Sequence, residues 1–175
     1  MQTSSTTRSA TGEREPPLSL KVDIGRQCIE LLKETEVIAS YPVSTALNGA
    51  GELNGSGCTP RGRHRIRIRI GSDQPLNAVF IGRRPTGEIY SHELAQQFPD
   101  RDWILTRILW LTGMEPGKNR GGEVDTLQRY IYIHGCPDTE PMGVPRSHGC
   151  IRMRNPDLVE LFDQVSSGTD VEIVE

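Results

Sequence analysis

The chain of 175 residues lacks several features that mark common classes of protein. It has no apolar run approaching the roughly 20 residues that a membrane-spanning helix needs. Its 20 Lys and Arg residues nearly balance 23 Asp and Glu residues, so composition does not indicate nucleic acid or an anionic membrane as a partner. Four cysteines are too few for a disulfide scaffold. We therefore expect one domain that is stabilised by its own hydrophobic core.

The N-terminal stretch is polar, carries charges of both signs and contains no apolar segment of the kind found in secretory signals. We predict a disordered tail over residues 1–17 and one folded domain over residues 18–175. As the chain stands, the expected location is the cytoplasm. An export signal missing from this sequence would make the location periplasmic instead.

Short segments with alternating polarity predict strands along most of the chain. Residues 18–24, 27–32 and 37–43 follow one another closely enough to form antiparallel hairpins. Residues 63–70 alternate Arg with Ile, which predicts a strand with one face in the core and one in water. The pattern thus favours a fold built mainly from strands.

Two short helices are expected among these strands. Residues 91–97 fit one or two helical turns, and a longer helix follows Asn155. Because Asn is a favoured N-cap and Pro is favoured at the first helical position, we predict Asn155 as the N-cap and Pro156 as the first residue of that helix.

A long polar connection, residues 112–128, is rich in glycine and charge and leads into the strand over residues 130–134. Connections of this length in compact domains are usually functional loops or disordered. We predict that this one forms a lid that contacts a substrate.

Candidate chemistry is concentrated at Cys150 and His134, which lie sixteen residues apart. A cysteine becomes a strong nucleophile as a thiolate, so it needs a nearby base and a field that favours negative charge. On the predicted strand, Tyr130, Tyr132 and His134 share one face. Turn-forming Gly and Pro residues between positions 135 and 145 could fold this face back toward Cys150.

Positive charge surrounds the candidate nucleophile in the sequence. Arg146, Arg152 and Arg154 flank Cys150 and predict a lowered thiol pKa. The same arginines would suit a substrate that ends in a free carboxylate.

Two other interpretations of these His and Cys residues stay open at this point. The tripeptide His-Gly-Cys occurs at residues 134–136 and again at 148–150, which supplies four possible zinc ligands. Their spacing differs from that of structural zinc sites, because one intervening residue points two strand side chains to opposite faces. A disulfide between Cys136 and Cys150 would instead make the segment redox-responsive. The non-enzymatic alternative is therefore a zinc or redox binding module.

The segment around Cys150 resembles the signature of the YkuD-type L,D-transpeptidase catalytic domain. That signature is His-Gly, a gap, and then Ser/Thr-His-Gly-Cys-x-Arg-Met/Leu-x-Asn. It is matched by His134-Gly135 and by residues 147–155. The Thr-Pro-x-Gly sequence at residues 59–62 and the early strands are also similar to this family, so the resemblance covers about residues 18–174.

The resemblance implies an all-β, sandwich-like catalytic domain with one or two short helices. It implies Cys150 as nucleophile, His134 as general base, the Gly135 carbonyl as the group that orients the imidazole, and amides around Gly149 and Cys150 as the oxyanion site. Supporting or substrate-binding roles are expected for four further residues: Ser147, His148, Arg152 and Tyr132. Whether Arg152 meets substrate or pairs with Asp157 stays open. No metal or cofactor is expected.

The implied reaction is acyl transfer on L,D-peptide bonds of peptidoglycan stem peptides through a Cys150 thioester. Water would resolve the thioester in an L,D-carboxypeptidase, whereas an amine would resolve it in a transpeptidase. The expected cytoplasmic location favours a murein tetrapeptide L,D-carboxypeptidase acting on muropeptides during recycling. The alternative is a periplasmic L,D-transpeptidase that forms 3-3 cross-links or exchanges D-amino acids.

Overall fold

The structure, a computed structural model, describes residues 14–175, so most of the predicted tail lies outside the described residues. Within these residues, ten strands and two α-helices account for most of the regular structure. The strands are β1 Leu18–Asp23, β2 Cys28–Lys33, β3 Glu36–Ser44, β4 Gly62–Ile70, β5 Ala78–Ile81, β6 Arg84–Ile89, β7 Ile104–Gly113, β8 Tyr132–Gly135, β9 Ile151–Met153 and β10 Asp170–Val174. The helices are α1 His92–Gln97 and α2 Asn155–Gln164, with a short 3₁₀ helix at Gly122–Val124.

The strands form one sheet that closes on itself. Its order is β4-β10-β1-β2-β3-β9-β8-β7, and β7 pairs back onto β4 to complete an eight-stranded, barrel-like sandwich. The β5–β6 hairpin extends from β7 outside this closed ring. The prediction of a mainly β fold with short helices is confirmed. No helix within residues 14–175 is long and apolar enough to cross a membrane.

Two apolar clusters lie on opposite faces of β8. The larger cluster contains Ile133 and takes in the buried face of α2 through Leu158, Leu161 and Phe162. The smaller cluster lies against the β5–β6 hairpin and contains Tyr132. Successive residues of a strand point to opposite faces, so β8 contributes to both clusters at once. Cys150 packs against the smaller one.

The predicted alternation of β4 is correct only in its first half. Ile66 is buried, but the pairing of β4 with β7 shifts register between Ile66 and Ile68, and Ile68 is 41% exposed. Beyond this shift Arg69 is partly buried, with its guanidinium 4.0 Å from the centre of the Phe162 ring. A bulge turns a strand in this way, and its position is not encoded in the polarity pattern.

The helix α2 begins at Asn155, one residue earlier than predicted, so Asn155 is not its N-cap. The cap position belongs to Arg154, which makes no capping hydrogen bond through its side chain. The Asn155 side chain is buried and accepts a hydrogen bond from the Thr106 hydroxyl at 2.7 Å. Its amide donates to the Cys136 carbonyl at 2.9 Å and to Asn77 Oδ1 at 3.1 Å. Satisfying these buried polar groups outweighs the capping preference.

The connection between β7 and β8 is fastened to β4. The buried Asn119 amide donates to the carbonyls of Arg61 and Arg63 at 3.0 and 3.1 Å. His64, which shows no partner in the sequence, is buried with Nε2 at 2.9 Å from the Thr126 hydroxyl and Nδ1 at 3.0 Å from the Gly62 carbonyl. These contacts fix the route by which the chain enters β8.

Candidate active site

A cleft of about 320 Å³ lies at the end of the smaller apolar cluster, between β8, the loop before β9 and the turn of the β5–β6 hairpin. Its walls include the two residues singled out in the sequence, His134 and Cys150, and also Tyr132. Residues 112–128 do not line it, so the predicted lid over this region stays a prediction. Gly82 and Arg83 at the hairpin turn also line the cleft.

Cys150 is held in the cleft by the backbone of the preceding segment. Its sulfur accepts a hydrogen bond from the Tyr132 amide at 3.3 Å, and its thiol donates to the Tyr130 carbonyl at 3.3 Å. Burial raises the pKa of the Cys150 thiol to about 12, against the lowering effects of the Tyr132 amide, Arg152 and Arg129. The resting group is therefore a thiol at neutral pH.

The three flanking arginines do not act together on this thiol, as the sequence suggested. Arg146 is exposed, and Arg154 donates to the carbonyls of Asp138 and Glu140 at 2.9 and 2.8 Å. Arg152 lowers the thiol pKa, but burial outweighs its effect. The prediction of a lowered thiol pKa in the free enzyme is wrong, because desolvation penalises the thiolate more than the nearby charges favour it.

His134 is buried and oriented by its own strand. Its Nδ1 lies 2.7 Å from the Gly135 carbonyl, and because a carbonyl only accepts, Nδ1 carries the proton and Nε2 keeps its lone pair. Burial lowers the pKa of His134, so the ring is neutral near pH 7. The described hydrogen bonds include none between His134 and Cys150, which is common in free enzymes whose catalytic contacts tighten around substrate.

Both predicted glycines occupy positions that a side chain would disturb. A Cβ at Gly135 would lie 2.6 Å from the Leu105 carbonyl oxygen and would collide with Asn155 Oδ1. Gly149 has φ +136°, a conformation that other residues rarely adopt. The Gly149 amide donates to Ser147 Oγ at 3.2 Å. This amide is thus already occupied in the free enzyme.

The loop before Cys150 is held by hydroxyl groups. Ser147 donates to the Cys150 carbonyl while accepting from the Gly149 amide, so it bonds the loop backbone. The Thr59 hydroxyl donates to the Gly149 carbonyl at 2.9 Å and thereby joins this loop to residues 48–61, the glycine-rich segment that precedes β4. These bonds fix the conformation from which Cys150 enters the cleft.

Arg152 and His148 meet an acid that the sequence did not point to. Arg152 lies opposite His134 in the β8–β9 pairing, and its guanidinium is 3.5 Å from carboxylate oxygens of both Asp102 and Glu140. Its partner is therefore not Asp157, the acid considered from the sequence. His148 is largely exposed, with Nδ1 3.8 Å from Asp102.

The two His-Gly-Cys tripeptides do not bring their side chains together. Cys136 is buried, donates to the Met153 carbonyl at 3.5 Å, and has its pKa raised to about 11 by burial, while His148 faces solvent. All four cysteines are unpaired thiols. Within residues 14–175, no three His, Cys, Asp or Glu side chains gather as metal ligands would.

Three charged cleft residues were missed in the sequence: Arg83, Asp102 and Arg129. Arg129 donates to the Cys58 carbonyl at 2.7 Å and to the carbonyls of Gly51 and Glu52, which joins the glycine-rich segment to the cleft wall. For Arg83, the sequence did contain a turn signal, because Gly82-Arg83 lies between two short strands. The other two are brought in by contacts between distant segments.

Comparison with known proteins identifies the family of this chain. The model of the YkuD family, the L,D-transpeptidase catalytic domain, matches residues 18–173. The chain belongs to this family. It is an L,D-transpeptidase family enzyme, as the resemblance of the Cys150 segment predicted.

Curated relatives of this L,D-transpeptidase family enzyme include the probable L,D-transpeptidase YbiS of Escherichia coli strain K12. The two are 24% identical over 123 residues, which cover 66% of this chain and 40% of YbiS. The matched part is thus well under half of that relative's length.

Solved structures show the same fold. An L,D-transpeptidase from Mycobacterium smegmatis superposes with a TM-score of 0.57 at 18% identity, covering 91% of this chain and 59% of the other. L,D-transpeptidase 3 from Mycobacterium tuberculosis, in complex with a faropenem-derived adduct, gives 0.54 at 16% identity over 91% and 61% of the two chains. The sandwich-like architecture expected from the resemblance is confirmed.

Proposed function

We propose that this enzyme cleaves the L,D-peptide bond before the terminal D-alanine of peptidoglycan stem peptides through a thioester on Cys150. The observation that carries the proposal is the position of the Cys150 sulfur, 3.3 Å from the Tyr132 amide in the cleft that His134 also lines. A thiol, a neutral imidazole whose Nε2 keeps its lone pair, and a cleft beside them are the parts that acyl transfer needs.

The resting protonation states indicate the order of events. Because the thiol pKa is about 12, its proton must leave as the sulfur attacks the substrate carbonyl, and His134 Nε2 is the acceptor. The new S–C bond places negative charge on the carbonyl oxygen, for which we assign the Cys150 amide, since the Gly149 amide donates to Ser147. Return of the proton from His134 to the departing amine breaks the C–N bond and leaves the thioester.

We favour hydrolysis of this thioester, which makes the enzyme a murein tetrapeptide L,D-carboxypeptidase. A cleft of about 320 Å³ suits the end of one stem peptide. The four unpaired thiols suit a reducing compartment, which supports the cytoplasm as the proposed location. Fractionation of cells that carry the tagged full chain tests the location, and recovery with periplasmic markers would contradict it.

Transpeptidation is the second candidate, and one observation favours it. A further cleft of about 230 Å³ adjoins the first and shares Asp102, His148 and Arg152 with it. An acceptor amine bound there could attack the thioester in place of water. The product would be a 3-3 cross-link or an exchanged D-amino acid.

Mass spectrometry of a disaccharide tetrapeptide incubated with the purified enzyme separates these fates. We expect loss of one alanine to give the tripeptide, with or without excess free D-amino acid. Exchange or dimer formation without tripeptide would favour transpeptidation. The Cys150→Ala variant should lose turnover by about 10⁴-fold or more while Cys28→Ala, in the distant β2 strand, keeps it. Full turnover by Cys150→Ala would contradict the nucleophile assignment.

An independent label for the nucleophile comes from the relative that carries a faropenem-derived adduct. Incubation of this enzyme with faropenem should add one covalent adduct to the intact mass, and peptide mapping should place it on Cys150. An adduct on Cys58 instead would move the nucleophile to the glycine-rich segment.

A further inference from the structure

Three arginines line the cleft, and the protein itself occupies two of them. Arg129 donates hydrogen bonds to backbone carbonyls of the glycine-rich segment. Arg152 lies between the carboxylates of Asp102 and Glu140. In the part of the chain that the structure describes, Arg83 has no salt bridge, and its one hydrogen bond runs from Nη1 to the Tyr132 hydroxyl at 3.2 Å. Most of its five N–H donors are therefore available to a ligand.

Arg83 is nonetheless held in place. Its guanidinium carbon lies 4.9 Å from the centre of the Trp110 ring and 4.7 Å from that of Tyr130. Trp110 is fixed in turn, since its indole N–H donates to the Leu127 carbonyl at 3.0 Å. Gly82 and Arg83 both have positive φ, at 56° and 64°, which forms the tight hairpin turn that carries the side chain over the cleft. Such a platform reduces the entropy that Arg83 would lose on binding.

Tyr132 gives the spacing between Arg83 and the nucleophile. Its backbone amide contacts the Cys150 sulfur, and its hydroxyl contacts Arg83. The distance from the Arg83 guanidinium to the Cys150 sulfur is therefore at most the length of one tyrosine, from its amide to its hydroxyl, plus two hydrogen bonds. This is within the reach of about four residues of extended peptide, at about 3.4 Å per residue. A group on the same stem peptide can therefore reach Arg83 while its peptide carbonyl lies at Cys150.

We propose that Arg83 binds a carboxylate of the donor stem peptide and thereby sets the affinity of the enzyme for acidic donors. A guanidinium binds a carboxylate through two parallel N–H···O bonds, and within residues 14–175 no carboxylate forms a salt bridge with Arg83. The identity of the donor as a stem peptide rests on the proposed function. Two carboxylates on such a donor are within reach: that of the terminal D-alanine and that on the side chain of the third residue.

Binding measurements on the inactive Cys150→Ala protein test this role apart from catalysis. Isothermal titration with the disaccharide tetrapeptide should show a Kd at least about tenfold higher when Arg83→Gln is added. The matched control is Arg84→Gln, which removes the same charge from the exposed neighbouring position of the hairpin. That change should leave Kd within about twofold of the parent value.

Two modified ligands identify the carboxylate. One is the tetrapeptide with a C-terminal amide, and the other has L-lysine in place of a third residue with a side-chain carboxylate. Removal of the carboxylate that Arg83 binds should abolish the difference in Kd between the parent and Arg83→Gln. The other modified ligand should still show the full difference.

The outcomes separate this role from the proposed reaction. In the active enzyme, Arg83→Gln should raise KM at least about tenfold with kcat little changed, because uniform binding is lost. If the parent binds the tetrapeptide in an Arg83-dependent manner but never cleaves it, the reaction is wrong and the role of Arg83 stands. Equal Kd values for the parent and Arg83→Gln, an equal loss in Arg84→Gln, or no binding to Cys150→Ala would overturn the role of Arg83.

Discussion

The two faces of β8 differ in what they bury. One face places Ile133 in the large cluster, which fills the closed sheet with apolar side chains and packs it on α2. The other face carries Tyr132 and His134 into the cleft, beside Cys150. The same backbone hydrogen bonds hold both faces in register. The side chains of the cleft are therefore positioned by a rigid apolar core whose own residues take no part in the reaction.

Replacing His134 should distinguish the roles of the two faces of β8 most clearly. We expect His134→Gln to lower kcat by about 10³-fold, because the proton acceptor for the thiol is lost. Since the packing of the large cluster is untouched, the melting temperature should stay within a few degrees of the parent value. Steady-state kinetics and thermal melts measured on one preparation check both. Unchanged kcat would show that another group removes the thiol proton.

The neighbouring residue should show the reverse. Ile133→Ala leaves a cavity in the large cluster and should lower the free energy of unfolding by about 2–5 kcal/mol. The kcat of the folded fraction should stay close to that of the parent. Urea denaturation measures the free energy of unfolding. The control is Ile81→Ala, because Ile81 is 53% exposed on β5, and this change should lower the free energy of unfolding by less than about 0.5 kcal/mol. A large loss of kcat in folded Ile133→Ala would mean that the two faces are coupled.

A smaller effect is expected from pH through His64, which anchors the connection leading into β8. Burial lowers the pKa of His64 to about 4, with Glu115 and Glu52 acting to raise it and Lys118 to lower it. In the unfolded chain His64 therefore binds a proton near pH 6.5, whereas in the folded chain it binds one only near pH 4. Stability is fully present above pH 6.5 and falls as the pH drops toward 4.

Urea titrations at two pH values measure this effect. Between pH 7.5 and pH 5 the contribution of His64 should fall by about 2 kcal/mol. The variant His64→Gln should lose this part of the pH dependence, whereas replacing the exposed His92 of α1 by Gln should keep it. The same pH slope in His64→Gln and the parent would contradict the assignment.

Local pattern and signature were enough to predict part of the molecule. Alternation located β1, and the motif singled out His134 and Cys150, which both line the cleft. These features depend on neighbours in the chain. The motif also implied the family to which the chain belongs.

Features that depend on distant segments were not predictable in this way. Strand β6 has a polar sequence with Pro85 and Gly87, and it is a strand only because β5 pairs with it. Asn155 looks like an N-cap until Thr106 and Cys136 supply buried partners for it. The same holds for the cleft arginine Arg83, whose position requires the hairpin to fold over β8.

Closure of the sheet also bears on how the protein behaves at high concentration. Because β7 pairs back onto β4, the ring of eight strands closes, and in the described sheet the outermost strand beyond this ring is β6. That strand carries Arg84, Pro85 and Glu88. Charge and proline are the residues that discourage another chain from adding to an exposed edge. The hairpin that carries Arg83 to the cleft thus also has an outer edge that is protected against pairing with another chain.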